Sequence, residues 1–198
     1  MNKWNRESPW NPAHPVGITP KEYEKQVVSW LMAAGSNLEQ FEVQHLQHLE
    51  GQGGDYEFDA IAKLSMLKGA SIIILIECKK YSRPVEREKI LALWAKLQDV
   101  GGHKAMMFAT SGFQSGALKF AKTKGIATIT FVQGSFLYET RGLDTPSVPL
   151  PWADLPAYAG IMLREEEETI HSTVIDHRNI EPLKEWIGDN GTVSNKAI

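Results

Sequence analysis

What is scarce in this 198-residue chain bounds it before any motif does. Its one cysteine, Cys78, excludes an internal disulfide framework and leaves too few thiols for a cysteine-built zinc site. Positive charge is in no excess: 21 Lys and Arg against 24 Asp and Glu leave a formal charge of −3. Any nucleic-acid surface on such a chain has to be local. No apolar run approaches the roughly 20 residues of a membrane span. The opening Met1-Asn2-Lys3-Trp4-Asn5 has no signal-peptide core, so the expected setting is cytoplasmic, with no membrane partner. No internal repeat is present, and 42% hydrophobic residues suffice for one core of ordinary size.

The rest of the chain divides by pattern. Residues 1–18, rich in Asn, Pro and Trp, have no periodicity and read as an irregular arm. Thr19-Pro20-Lys21-Glu22 is a capping box with Pro at the first helical position; Tyr23, Val27, Leu31 and Ala34 then mark one face of a helix that Gly35 stops. Glu24 flanks that face, where its side chain could reach back to a sheet edge. Residues 38–46 alternate as a strand; His45 and His48 lie an odd number apart, on opposite faces, and so are not a metal pair. Gly51-Gln52-Gly53-Gly54 precedes a strand and opens no helix, which makes it a turn rather than a dinucleotide loop. After the break at Tyr81-Ser82-Arg83-Pro84, a helix is expected over 85–100 with Ile90, Leu91, Trp94 and Leu97 inward. A strand over 104–109, a helix over 115–124 ended by Gly125 and a strand over 126–132 follow, with a further short strand over 136–139. Strand, helix, strand, helix, strand implies βαβ crossovers and a mixed sheet in an α/β fold. The expected plan is an arm over 1–18, a sheet domain over 19–143, and a C-terminal extension over 144–198. That extension is Pro-rich over 145–156, acidic over 165–168, helical over 179–187, and frayed from 189.

The centre of this plan is the pair of segments 56–63 and 72–81. Ile72, Ile73, Ile74, Leu75 and Ile76 are all apolar, so both faces of that strand must be covered. The strand ends in Glu77 and Lys79, which share a face with Ile73 and Leu75. A turn centred near Lys68 places Asp59 opposite Glu77, with the carboxylates about 5 Å apart. Like charges that close need a cation between them, and a hard divalent ion is the natural one, so Asp59 and Glu77 read as metal ligands. Cys78 between the charges reads as a small buried strand residue, not a nucleophile. Lys63, Lys68, Lys79, Lys80, Arg83, Arg87 and Lys89 gather around these segments, diluted by Glu86 and Glu88: a surface for a polyanion, or a solvated face. Ser111-Gly112 precedes a helix whose first N–H groups could meet a phosphate, although a helix start needs no ligand.

Phe58-Asp59-Ala60-Ile61, then Glu77-Cys78-Lys79-Lys80-Tyr81 with Pro84-Val85, then Thr110-Ser111-Gly112-Phe113 and the segment 117–126, together resemble the PD-(D/E)xK nuclease superfamily and its Mrr-type restriction endonuclease branch. The resemblance covers roughly residues 20 to 132. Phe58 stands where the superfamily's Pro would be, and Glu77 stands where many Mrr-like chains carry Gln, a departure that favours an intact metal site. The resemblance implies a restriction-endonuclease-like fold and Mg2+-dependent hydrolysis of DNA phosphodiester bonds in restriction or defence, with Mn2+ able to substitute. Asp59, Glu77 and the carbonyl of Cys78 would hold the metal. Lys79 would orient or help deprotonate the attacking water, and Glu24 would assist through a water of the ion's shell. Lys80, Arg83, Ser111 and Gly112 would bind substrate. With one motif and no evident recognition domain, a homodimer or a separate specificity subunit is expected. Two alternatives stand beside this: a silent nuclease-fold protein that binds nucleic acid or a partner, and a nuclease of the same fold acting on RNA or repair intermediates.

Overall fold

A strand apolar at every position needs cover on both sides, and the third strand, β3 (Ser71–Lys79), has it. The computed structural model, which describes residues 16–38, 40–65, 70–134, 154–166 and 169–188, places β3 third in a seven-stranded mixed sheet. Strand order follows the chain. β1 (Phe41–Glu50), β2 (Asp55–Ser65) and β3 are antiparallel neighbours, and β3, β4 (Lys104–Ala109) and β5 (Ala127–Gln133) run parallel. β6 (Tyr158–Glu166) and β7 (Thr169–Ile175) return antiparallel. Parallel neighbours need crossovers, which α2 (Arg87–Asp99) and α3 (Ser115–Lys124) provide.

Two apolar layers follow from the alternation in β3. Ile74 and Ile76 join the layer under α1 (Pro20–Ala34), where Tyr23, Val27, Trp30 and Leu31 are buried together with Leu183 and Ile187 of α4 (Glu181–Gly188). Leu75, with Ile73 packed beside it, joins the layer under α2 and α3, built from Ile90, Leu93, Leu97, Ala117 and Ala121. The sheet is therefore sandwiched between helices, α1 and α4 on one face, α2 and α3 on the other. The start of α1 is the expected capping box, with Thr19 Oγ1 accepting from Glu22 N–H and the Glu22 carboxylate accepting from Thr19 N–H. α3 ends on Gly125 at φ +66°, a left-handed cap that favours glycine.

Three expectations change. The second helix begins at Arg87 rather than 85, because Val85 instead pairs with Phe113 and ties the loop after β3 to the loop after β4. Leu91 is 44% exposed while Leu93 takes the inward place, and Trp94 lies beside Phe120 and Lys124 rather than under the sheet. Beyond residue 154 the β6–β7 strand pair, which was not expected, extends the sheet, and the helix expected over 179–187 forms as α4 and packs in the α1 layer. The 51–54 segment is a turn, as expected: Gly51 N–H meets Gly54 O, and a Cβ on Gly51 would fall 2.2 Å from Asp99 Oδ2 at the end of α2. The arm over 1–15, the turn at Lys68, the 136–139 segment, most of the Pro-rich stretch and the tail from 189 lie outside the described residues.

Candidate active site

The β2–β3 ladder runs from Ser65 paired with Ser71 to Ala60 paired with Ile76. One step further along this register Asp59 faces Glu77, and there the two main chains part. Cys78 N–H, left without a main-chain acceptor on β2, is accepted at 2.6 Å by Asp59 Oδ2. On the other side of β2, Asp59 and Leu46 are the one rung missing from the β1 pairing, and Leu46 sits at φ +51°. The strand pair bends at this rung: Phe58 packs in the α2 layer and Ala60 in the α1 layer, though residues two apart on a straight strand share a face.

Parity on β3 sends Glu77 and Lys79 to the α2 side, and Lys79 Nζ donates to Glu77 Oε2. Glu77, only 5% exposed, has a second cation: Lys96 Nζ, reaching down from α2, donates to Oε1 at 2.6 Å. The Lys96 ammonium also lies 5.3 Å from the centre of the Phe58 ring. Sequence reading missed Lys96; its signal was a lysine next to the inward Leu97, indistinguishable from any flank of an amphipathic helix. On the α1 side, Glu24 approaches the sheet and its Oε2 accepts a hydrogen bond from His45 Nε2 at 2.8 Å. His48 faces away, paired with exposed Glu57.

Charge and burial work against each other here. Burial raises the Asp59 carboxyl above the ordinary carboxylate value; the Cys78 N–H opposes this, and the Glu77 charge adds to it. Lys79 loses to burial but gains more from Glu77 and Asp59, and its ammonium is held above the usual lysine value. Burial pushes the Cys78 thiol well up, with Asp59 and Glu24 adding, which disfavours its thiolate. The Tyr23 phenol is also driven well up, first by burial and then by Cys78, Asp59 and Glu24. The Lys79 main chain, hydrogen-bonded to the phenol, opposes this in part.

The loop after β3 holds the basic group. Lys80, Arg83 and Lys89, with Tyr81, line an open cavity of about 360 Å³ at the strand's end. Thr110 Oγ1 donates to Tyr81 O, and Val85 N–H donates to Gly112 O, so this loop is fastened from below. Ser111 and Gly112 are buried in that fastening and do not come to the surface with Lys80 and Arg83.

The donors fit a hard divalent ion. Mg2+ takes one or two carboxylates and keeps several waters, and the register sets two carboxylates, Asp59 and Glu77, across from each other one step beyond the last paired rung. Among the described residues no three His, Cys, Asp or Glu side chains converge on one point, so main-chain and water oxygens would complete the shell. Glu77 keeps lone pairs beyond those its two lysines use.

A mixed sheet between helices, with an Asp, a Glu and a Lys at the open end of its β2–β3 hairpin, has the architecture of the restriction-endonuclease-like class. The restriction endonuclease family model of the Mrr catalytic type matches residues 16–140, and the chain belongs to that family. No curated protein matches the chain. Among solved structures, a protein of unknown function, AF1548, matches with 22% identity and a TM-score of 0.43, over 54% of this chain and 56% of that one. The match thus takes in little more than half the length of that protein. Among the described residues no helix is long and apolar enough to cross a membrane.

Proposed function

We propose that the protein is a Mg2+-dependent endonuclease that hydrolyses DNA phosphodiester bonds, in restriction or defence. The observation that carries the reading is the placement of Asp59 across from Glu77 at the end of β3, with Lys79 on the Glu77 face, in a chain of the Mrr-type family. Asp59, Glu77 and the Cys78 carbonyl would hold the ion, which when bound supplies Lewis-acid charge at the scissile phosphate. Lys79 orients the attacking water and offsets charge on the phosphate. Lys96 fixes the Glu77 carboxylate from the helix side, and Glu24, oriented by His45, supports the water shell near Asp59. Lys80, Arg83 and Lys89 at the loop cavity contact backbone phosphates, which gives affinity without base readout. One site cuts one strand, so duplex cleavage would need two copies of the chain, and sequence choice would come from the pairing or from a specificity subunit.

The test is supercoiled plasmid, methylated and unmethylated, incubated with and without Mg2+, beside single-stranded DNA and RNA. Nicking or linearisation of DNA that stops on adding chelator is the expected result. Cleavage of RNA alone, or of nothing, overturns the reading.

A further inference from the structure

Both oxygens of Glu77 are held by cations before any ion arrives. Lys79 Nζ donates to Oε2 and Lys96 Nζ donates to Oε1 at 2.6 Å, on a residue that is 5% exposed. The Lys96 ammonium thus stands where a metal would: Mg2+ sits at about 2.1 Å from a carboxylate oxygen. The carboxylate keeps further lone pairs, yet an ion on Oε1 would meet the Lys96 charge at close range with little water between, where like charges repel strongly. The metal-free set is also balanced, with Asp59 and Glu77 negative and Lys79 and Lys96 positive. A divalent ion added to it leaves an uncompensated positive charge, and the phosphates of nucleic acid are what would offset it. Of the two lysines, Lys96 is the one placed to leave. Lys79 stands two residues from Glu77 on the same strand face. Lys96 comes from a separate helix, and its side chain is 29% exposed. Its ammonium lies 5.3 Å from the centre of the Phe58 ring, which stabilises a cation as it parts from the carboxylate.

We propose that Lys96 makes metal loading conditional on substrate: its ammonium holds the ion's place on Glu77 in the free protein and passes to a phosphate of bound nucleic acid when the divalent ion enters. This inference rests on the metal reading above and adds the order in which the site assembles. Without nucleic acid the site takes the ion weakly. With it, ion and nucleic acid each strengthen the other's binding, by the same factor in both directions. The protein therefore carries little bound metal until a phosphate backbone is in place.

Two measurements decide it: calorimetric titration of Ca2+ into protein without DNA, and fluorescence anisotropy of a labelled DNA duplex with Ca2+ or with chelator, each over a range of salt. Lys96→Gln keeps a donor for Oε1 and removes the charge; Lys96→Arg keeps the charge. In wild type, Ca2+ should tighten DNA binding. Lys96→Gln should bind Ca2+ without DNA roughly tenfold more tightly, and the tightening of DNA by Ca2+ should shrink by the same roughly tenfold. With Ca2+ the salt dependence of DNA binding should be steeper in wild type than in Lys96→Gln by about one phosphate contact, and with chelator the two should match. Lys96→Arg should keep the wild-type coupling; a loss in both variants would show a packing effect and overturn the inference. Ca2+ that leaves wild-type DNA affinity unchanged overturns it without any variant. Equal Ca2+ affinity and equal coupling in wild type and Lys96→Gln, with Asp59→Ala binding no ion, overturns the part played by Lys96 and leaves the metal site standing. Wild type that binds no Ca2+, with DNA or without, overturns the metal site itself.

Discussion

Replacing Lys96 by Met probes a contact that is visible only in the folded chain. Glu77 is 5% exposed and shares its two oxygens between Lys79 and Lys96, so its charge is balanced in the metal-free protein by two ammonium groups. Losing one partner of a fully buried pair costs about 3 to 5 kcal/mol. Here Lys79 remains, and the Lys96 side chain is 29% exposed, so water can enter in its place. The cost falls to about 1 to 2 kcal/mol, since Met keeps the stem's packing and a sulfur contact with Phe58. For a chain of this size that is a drop of about 2 to 8 °C in melting temperature. A divalent ion changes the sign of the argument. With Lys96 gone, the ion meets a more negative site and one less positive neighbour, and its affinity rises by on the order of tenfold, about 1.4 kcal/mol. The metal-induced rise in melting temperature should therefore be larger in Lys96→Met than in wild type, by several degrees. Differential scanning fluorimetry across a Mg2+ titration measures both effects. An equal metal-induced rise in the two proteins would mean that the ion and Lys96 do not share Glu77, and the metal assignment to Glu77 would fall.

Asp59→Ala should abolish the Mg2+-induced rise in melting temperature, because an ion that binds only the folded state stabilises it by mass action and its ligand is gone; equal rises in both proteins would remove Asp59 from the site. The raised Asp59 pKa gives a pH signature without metal: the folded state binds the proton better than the unfolded state, so stability falls as pH rises from the ordinary carboxylate value through the folded pKa. Measured against Asp59→Asn, wild type should lose relative stability across that window without metal and lose less of it in saturating Mg2+; a flat difference would refute the burial argument. Lys79→Met should leave folding intact and cut turnover by roughly 10² to 10³, while Lys80→Met, on the exposed cavity wall, should mainly weaken DNA binding and flatten its salt dependence. Intact Mg2+-dependent cleavage in both would end the case for the Glu77 and Lys79 pair.

How much of this was legible depended on whether the cause was local. Register came from arithmetic on the hairpin: a turn centred at Lys68 pairs Ala60 with Ile76, which is the last rung observed. The face shared by Ile73, Leu75, Glu77 and Lys79 came from strand parity, and the start of α1 from its capping box. The phase of α2 did not come so easily. Ile90, Leu93 and Leu97 form one stripe, and Leu91 with Trp94 forms another beside it; the sheet covers the first, while Phe120 and Lys124 of α3 take Trp94 and leave Leu91 in solvent. No periodicity in the sequence chooses between the two stripes. Lys96 was hidden for the same reason, since its role comes from Glu77, on a strand well before it in sequence. β6 and β7 carry weak signals: Ala159, Gly160 and Ile161 do not alternate in polarity, and their place in the sheet comes from pairing with β5 and with each other.

The place of the site also follows from a conflict within the sheet. A straight β2 would keep Phe58 and Ala60 on one face, yet Phe58 is needed under α2, where Lys96 covers its ring, and Ala60 under α1. The strand resolves this by turning over at Asp59, and Leu46 opposite takes a left-handed conformation that costs about 1 kcal/mol or more in a residue other than glycine. Turning over opens the ladder between β2 and β3 and strips Cys78 N–H of its main-chain acceptor. Apolar residues at that rung would bury an unpaired N–H; a carboxylate accepts it and brings a negative charge to the end of β3. Once Asp59 is there, Glu77 across from it cannot be balanced by the main chain, and Lys79 and Lys96 or a divalent ion must supply the charge. The bend that fits the helices to the sheet is thus the same feature that gathers the charged groups at the strand's end.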